Sequence, residues 1–207
     1  MIDVRIFGVP ERIENIHKLQ NSLSVADDHV VIDYEHDGCK STAKKAWVIG
    51  TISDFVMVLA DDVAVCTNFI QFCDTVTEMY PESVISLYPG QFPRREYLKR
   101  MPDKSPYITV SHCSGAGIIM PAKYVKPCVE SWREDISGDD ANIDVWAKSN
   151  GIQMITTIPS LIQHLDFKSV FDPTRSLGGT EFYEENPYKV NWRETYLESW
   201  TNIAKYG

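Results

Sequence analysis

Long apolar runs are missing from this chain. No stretch approaches the roughly 18 to 20 residues that cross a bilayer, so a spanning helix is not expected. The opening Met1-Ile2-Asp3-Val4-Arg5-Ile6-Phe7 has an early acid and only a short apolar run, unlike a secretory signal. Paired cysteine spacing is absent too. Cys39, Cys66, Cys73, Cys113 and Cys128 form an odd set, which argues against a disulfide framework or a zinc site and suits free thiols in a reducing compartment. Positive charge is scarce, with 20 Lys+Arg against 29 Asp+Glu and a net charge of −9. That balance disfavours binding nucleic acid or an anionic membrane through the overall field. One segment departs from it: Arg94, Arg95, Lys99, Arg100 and Lys104 stand against only Glu96 and Asp103.

What is present is an ordinary globular composition, 43% hydrophobic and 24% charged over 207 residues, enough for one domain with a sizeable core. The first half alternates strand and helix. Strands are expected at residues 4–7, 29–34, 55–60 and 84–88. The intervening helices are expected at 11–23, from Ser41 or Thr42 to about Ile52, and from 67 or 68 to Tyr80. Such a β-α-β order implies parallel pairing and a doubly wound half-domain. Residues 89–107 hold four prolines and the basic cluster, and read as a long loop. Later strands are expected at 108–110, 116–120, 153–158 and 161–163, with helices at 124–132 and 139–150. A polar, aromatic-rich tail follows, so the division is a domain over 1–170 and a tail over 171–207 packing on or extending it.

The most informative feature is Asp61-Asp62, directly after the run Phe55-Val56-Met57-Val58-Leu59-Ala60. Six apolar residues with β-branched members read as a strand buried on both faces. Acids at its end lie where sheet meets loop, the edge at which open α/β sheets bind ligands. Two oxygen donors there suit a hard divalent cation bridging to substrate phosphates. The plainer reading is a helix cap and a solvated acid.

Further along come Ser114-Gly115-Ala116-Gly117-Ile118-Ile119-Met120-Pro121, then Gly138-Asp139-Asp140 with Trp146, then Pro159-Ser160-Leu161-Ile162-Gln163-His164. Taken in order with the acid-ended strand, these segments resemble nucleotide-sugar-dependent glycosyltransferases of the GT-A fold over roughly residues 3 to 170. The resemblance implies a single-domain, Rossmann-like α/β architecture with a mixed sheet flanked by helices. One departure is that the family's acid-x-acid signature is Ala60-Asp61-Asp62 here, with alanine at its first position.

By the same resemblance, the activity is transfer of a sugar from a nucleoside diphosphate, UDP above all, to an acceptor hydroxyl, with inversion at the anomeric carbon. The cofactor is Mn²⁺ or Mg²⁺, an imidazole in the shell tilting the choice toward Mn²⁺. Asp62 is the direct ligand, Asp61 holds a water ligand or a ribose hydroxyl, and His164 is the late metal-binding histidine. Asp140 or Asp139 resembles the catalytic base, with Asp144 one helical turn later in reserve. Both acids also suit a helix start, Asp139 as its N-cap. The donor is expected over Val9, Pro10, Arg12 and Asp33, with Lys44 or Lys45 at the diphosphate and Gly115 and Gly117 allowing close approach of the sugar. For Lys44 a solvated helix face is an equal reading, and for the glycines a β-bulge. His112 reads as structural, and Trp47 and Trp146 as core.

The acceptor is open. Arg94 and Arg95 could contact an anionic one, including the backbone of DNA carrying a hydroxymethylated base, in the cytoplasm or in that of an infected host. A metal-dependent nucleotidyltransferase would share the strand-end acids, but its glycine-rich phosphate loop is replaced here by Gly8-Val9-Pro10-Glu11-Arg12. An aspartyl phosphatase needs Asp-x-Asp-x-Thr, which Asp61-Asp62-Val63-Ala64-Val65 does not supply. A non-catalytic sugar-nucleotide-binding module would be expected to have lost the acids and the histidine, and both are present.

Overall fold

In the computed structural model, residues 1–88, 107–110, 112–157, 160–165 and 167 are described. Seven strands form one mixed sheet in the order β2-β1-β3-β7-β5-β8-β6. They are β1 (Ile2–Gly8), β2 (Val30–Ile32), β3 (Phe55–Ala60), β5 (Val84–Ser86), β6 (Tyr107–Thr109), β7 (Gly117–Pro121) and β8 (Met154–Thr157). The strands β4 (Val63–Val65) and β9 (Ile162–His164) pair separately as a two-stranded ribbon. The helices are α1 (Ile13–Leu23), α2 (Cys39–Trp47), α3 (Phe69–Met79), α4 (Ala122–Glu130) and α5 (Asp139–Ser149).

Period-2 alternation makes β3 the centre of a three-layer stack. Met57 and Leu59 face Ile16 and Leu19 of α1 and Phe69, Phe72 and Val76 of α3. Val56 and Val58 face the other way, toward Ala43, Ala46 and Trp47 of α2, Val125 and Cys128 of α4 and Ile143 and Trp146 of α5. Trp47 and Trp146 are therefore core, as the sequence implies. No described helix is long and apolar enough to cross a membrane.

The expected parallel half-domain is only partly formed. β1 pairs in parallel with β2 and β3, but β7 lies antiparallel between β3 and β5. Gly117 opens that space: a Cβ there would lie 2.7 Å from the Ile162 side chain and 3.0 Å from that of Leu59. Its role is close packing inside the sheet rather than approach to a ligand.

Two helices also depart from the expected limits. α2 starts at Cys39 behind Gly38, whose φ is +104°, and not at a Ser41 or Thr42 cap. The Asp33 carboxylate shapes this entry by accepting the N–H groups of Asp37 and Gly38 at 2.9 and 3.0 Å. The helix stops at Trp47, where the carbonyls of Ala46 and Trp47 accept the Arg5 guanidinium at 2.8 and 2.7 Å. α4 begins at Ala122 and keeps Pro127 inside, because the proline removes only the bond to the carbonyl of exposed Lys123.

Arg5 is wholly buried on the α2 face of β1 and also donates to Asp3 at 2.8 Å. It thereby satisfies helix-end carbonyls that would otherwise be stranded against the sheet. Arg5→Ala is expected to cost about 3–5 kcal/mol, because it takes the guanidinium from a buried carboxylate left with His29 alone, and strips its donor from the Trp47 carbonyl. Urea denaturation checks this; a loss under about 1 kcal/mol would mean that water replaces the guanidinium.

Candidate functional site

Because β7 runs antiparallel, its start lies at the same sheet edge as the ends of β1 and β3. The Ala60 N–H donates to the Ala116 carbonyl at 3.1 Å, so the Asp61-Asp62 turn and the Gly115-Ala116 turn meet there. This is the carboxyl edge at which α/β sheets bind ligands.

Asp61 is buried, with a donor on each carboxylate oxygen. Its Oδ2 accepts the Val9 N–H at 2.8 Å, and its Oδ1 accepts Arg12 Nη1 at 2.8 Å. Gly8 makes room for it, since a Cβ there would fall 2.3 Å from both Asp61 Cβ and Oδ2. Val9 and Pro10, expected at the donor, also build this turn: Val9 gives its N–H to Asp61, and Pro10 opens the short helix of residues 10–12 that turns Arg12 back. The same Arg12 Nη1 donates to Asp62 Oδ2 at 3.0 Å, and the Arg12 guanidinium carbon lies 5.5 Å from the centre of the Phe167 ring. Asn15 clamps the turn from α1, donating to the carbonyls of Asp61 and Val63 at 2.6 and 3.0 Å.

The ribbon brings in the distant partner. Antiparallel pairing sets Val63 opposite His164, and the Leu165 N–H donates to the Asp62 carbonyl at 2.7 Å. His164 Nε2 then lies 3.4 Å from Asp62 Oδ2. Tyr88, just beyond β5, places its ring 5.9 Å from the His164 ring at 32°. Its hydroxyl is buried with no hydrogen-bond partner among the described residues.

The two acids diverge electrostatically. Burial pushes the Asp61 carboxyl up, more than the Val9 N–H and Arg12 pull it down. Burial also works against Asp62, but the hydrogen bond and charge of His164, with Arg12, outweigh it and hold that carboxyl below its usual range. For His164, burial lowers the value while Asp62 raises it, and the net is upward. Asp62 is thus the acid held ionised by its partners, while Asp61 is the one whose burial outweighs them.

Across the edge, Asp139 and Asp140 open α5. Asp140 Oδ1 accepts the Ala141 N–H at 2.7 Å and its Oδ2 accepts the Gly115 N–H at 3.2 Å. Asp139 is buried, and burial followed by the neighbouring Asp140 charge raises its pKa to about 7. Trp47 lowers it slightly, although its indole N–H finds no acceptor at hydrogen-bonding geometry. The N-cap is the extended Gly138, not Asp139. Asp144, one turn on, accepts the Cys113 N–H at 2.8 Å through Oδ1 and holds His112 Nδ1 through Oδ2. The imidazole is otherwise 63% exposed, so the pair is an acid–histidine dyad beside the Gly115 turn.

Both Asp33 oxygens serve the bend before α2. Lys44 is exposed on that helix, and Lys45 pairs with Asp37 at 2.9 Å. Arg94, Arg95 and the tail 171–207 lie outside the described residues. Gly8, Asn15 and Tyr88 escaped the sequence reading. Gly8 and Tyr88 at strand ends were the available signals, whereas Asn15 carries none without the fold.

Among the described residues, no three His, Cys, Asp or Glu side chains gather as a metal cluster. A cation at Asp62 and His164 therefore has two protein donors, one oxygen and one nitrogen, and takes its other ligands from phosphate and water. That donor set suits Mn²⁺ or Mg²⁺, and the unpartnered Tyr88 hydroxyl beside it leaves a polar position for a ligand. The residues fit the cofactor.

No family model matches this chain, and no curated protein does. Among solved structures, it is similar to the catalytic domain of Drosophila β1,4-galactosyltransferase 7 complexed with xylobiose, at 11% identity and a TM-score of 0.49, covering 92% of this chain and 82% of that one. It is also similar to a mutant of that enzyme complexed with manganese, UDP-Gal and xylobiose, at 11% identity and a TM-score of 0.45, covering 93% and 78%. The likeness is distant, and the functional reading rests on the geometry.

The Asp62–His164 pair sets a pH dependence. The raised His164 value makes its contribution complete below the unfolded value of 6.5 and lost as pH rises through the folded one. The lowered Asp62 value makes its contribution present above 3.8 and lost as pH falls through the folded value. In EDTA, the stability difference between wild type and His164→Gln is expected to be largest between these two unfolded values and to shrink above the upper one. Denaturation series at stepped pH check this, and a difference that persists undiminished at high pH would contradict it.

Proposed function

We propose that this protein transfers a glycosyl group from a nucleoside-diphosphate sugar, UDP-linked by preference, to an acceptor hydroxyl, assisted by a divalent cation. The observation that carries this reading is the pairing of β4 with β9, which sets His164 Nε2 3.4 Å from Asp62 Oδ2 at the carboxyl edge of the sheet. An isolated acid pair is as easily a cap. An acid pair joined by an imidazole from a hundred residues away, facing a second acid pair, is hard to explain by packing alone.

Asp62 and His164 would hold the cation, which as a Lewis acid neutralises the departing diphosphate. Arg12, paired with both acids, offsets part of their charge at the same edge. Gly115, held by Asp140 through its N–H, sets the floor on which the sugar lies. Asp140 is the proposed base for the acceptor proton, since each of its oxygens keeps a free lone pair beyond its single backbone bond. His112, oriented by Asp144, is the second candidate, because its other ring nitrogen stays exposed.

A thermal-shift panel of nucleotide sugars with and without Mn²⁺ tests the class. Stabilisation by one of them only with Mn²⁺ is expected, and lost in Asp62→Asn; turnover undiminished in EDTA would overturn the metal role. Asp140→Asn is expected to lower kcat by about 10²- to 10⁴-fold while donor Kd changes little. Activity that survives Asp140→Asn but falls to the same extent in His112→Gln would move the base to the dyad.

A further inference from the structure

Three buried side-chain polar atoms lack a hydrogen-bond partner among the described residues: Trp47 Nε1, Trp132 Nε1 and Tyr88 Oη. The two indoles belong to the core beneath α2, α4 and α5. Tyr88 stands apart from them. It leaves the end of β5 at the carboxyl edge, is only 4% exposed, and stacks its ring against His164.

An unpaired buried hydroxyl is a standing loss, because desolvation is not offset by a new bond. If Tyr88 served only to fill space beside His164, phenylalanine would fill it without that loss. The phenol carries its own proton as a hydrogen-bond donor, and does not spend it on Asp62 or on any other described group. A donor waiting beside a carboxylate and an imidazole that suit a cation matches an anionic oxygen carried in with that cation.

We infer that the Tyr88 hydroxyl contacts the ligand, donating a hydrogen bond to a diphosphate oxygen of the incoming nucleotide. This deepens the proposed function and rests on it, since it assigns the cation-bound diphosphate as the group that satisfies Tyr88. The protein carries an unpaired hydroxyl in the empty state and is relieved of it on binding, so the contact adds discrimination against ligands lacking an anion at that position.

The test compares wild type with Tyr88→Phe by calorimetric titration of UDP and, separately, of inorganic pyrophosphate, both with Mn²⁺, together with thermal melting of each protein in the ligand-free state. Tyr88→Phe is expected to melt at the same temperature or higher, and to bind both ligands at least about tenfold more weakly, the loss expected for one hydrogen bond to a charged oxygen. Equal weakening toward UDP and pyrophosphate assigns the contact to the diphosphate. Weakening toward UDP alone would move it to the nucleoside and overturn the inference. So would unchanged binding of both, with the proposed function left standing. A lower melting temperature in Tyr88→Phe, with affinity lost only in proportion to folded protein, would make the hydroxyl structural. Failure of the wild type to bind any nucleoside diphosphate or pyrophosphate with Mn²⁺ would remove the functional reading and this inference together.

Discussion

The carboxylate of Asp61 is the constraint around which this edge is arranged. It ends a strand buried on both faces, receives the backbone N–H of Val9 from the neighbouring strand, and receives the Arg12 guanidinium from the turn beyond. Only glycine at position 8 leaves room for it. Once these bonds form, the exit of β1 and the exit of β3 move as one unit. Asp62 is then pointed outward, and the chain is directed into β4, whose pairing brings back His164. Removing this one carboxylate would leave the buried Val9 N–H without its acceptor and take one of two carboxylates from Arg12, which would keep Asp62 at 3.0 Å. It would also remove the bond that joins the Val9 backbone to the end of β3.

Electrostatics explains why such an edge needs a cation. Asp61, Asp62, Asp139 and Asp140 are near enough together that the Cys39 thiol, on an exposed residue at the start of α2, is pushed up by the protein crowded around it and by all four charges. The chain as a whole carries −9. A diphosphate approaching these carboxylates is repelled unless positive charge lies between them, and in a partly buried cleft that repulsion is little screened. Arg12 supplies one such charge and His164, when protonated, a second. Both are already committed to Asp61 and Asp62, so they balance the acids more than they attract a further anion. Under the proposed function, a divalent ion would add the missing charge and would reconcile an acid-lined edge with an anionic substrate.

Much of this was legible in the sequence because it followed from local pattern. The run at residues 55–60 could only be a buried strand, and the acids after it could only lie at its edge. The ordering of Asp62 above Asp61 came from resemblance, and the bonding of Asp61 supplies an independent physical reason for it. What the sequence hid was non-local. Nothing in Gly117-Ile118-Ile119-Met120-Pro121 says that it runs antiparallel between two strands that lie next to one another in the β-α-β order. Three residues, Val63-Ala64-Val65, are too few to read as a strand until Ile162-Gln163-His164 lies beside them. Val9, Pro10 and Asp33 were assigned to the donor from their place after strands. In the fold Val9 bonds to Asp61, Asp33 bonds to backbone and Pro10 opens a short helix, roles that the sequence pattern did not reveal.

Asp139 illustrates how the two acid pairs differ in kind. Asp62 is held ionised by partners of opposite charge, whereas Asp139 is buried beside a like charge with its pKa raised to about 7. Near neutrality Asp139 is thus protonated part of the time, and the far side of the cleft presents less negative charge than its composition suggests. That asymmetry has a direction. The Asp62 side, with His164 and Arg12, has an acid held charged by cations, whereas the side at the start of α5 carries an acid whose charge burial and its neighbour suppress. Gly115 has its backbone N–H on Asp140, and a Cβ there would come within 3.0 Å of Asp139 Oδ1. Under the proposed function that division would suit a cation on the first side and an uncharged sugar on the second, and a side chain at position 115 would crowd Asp139.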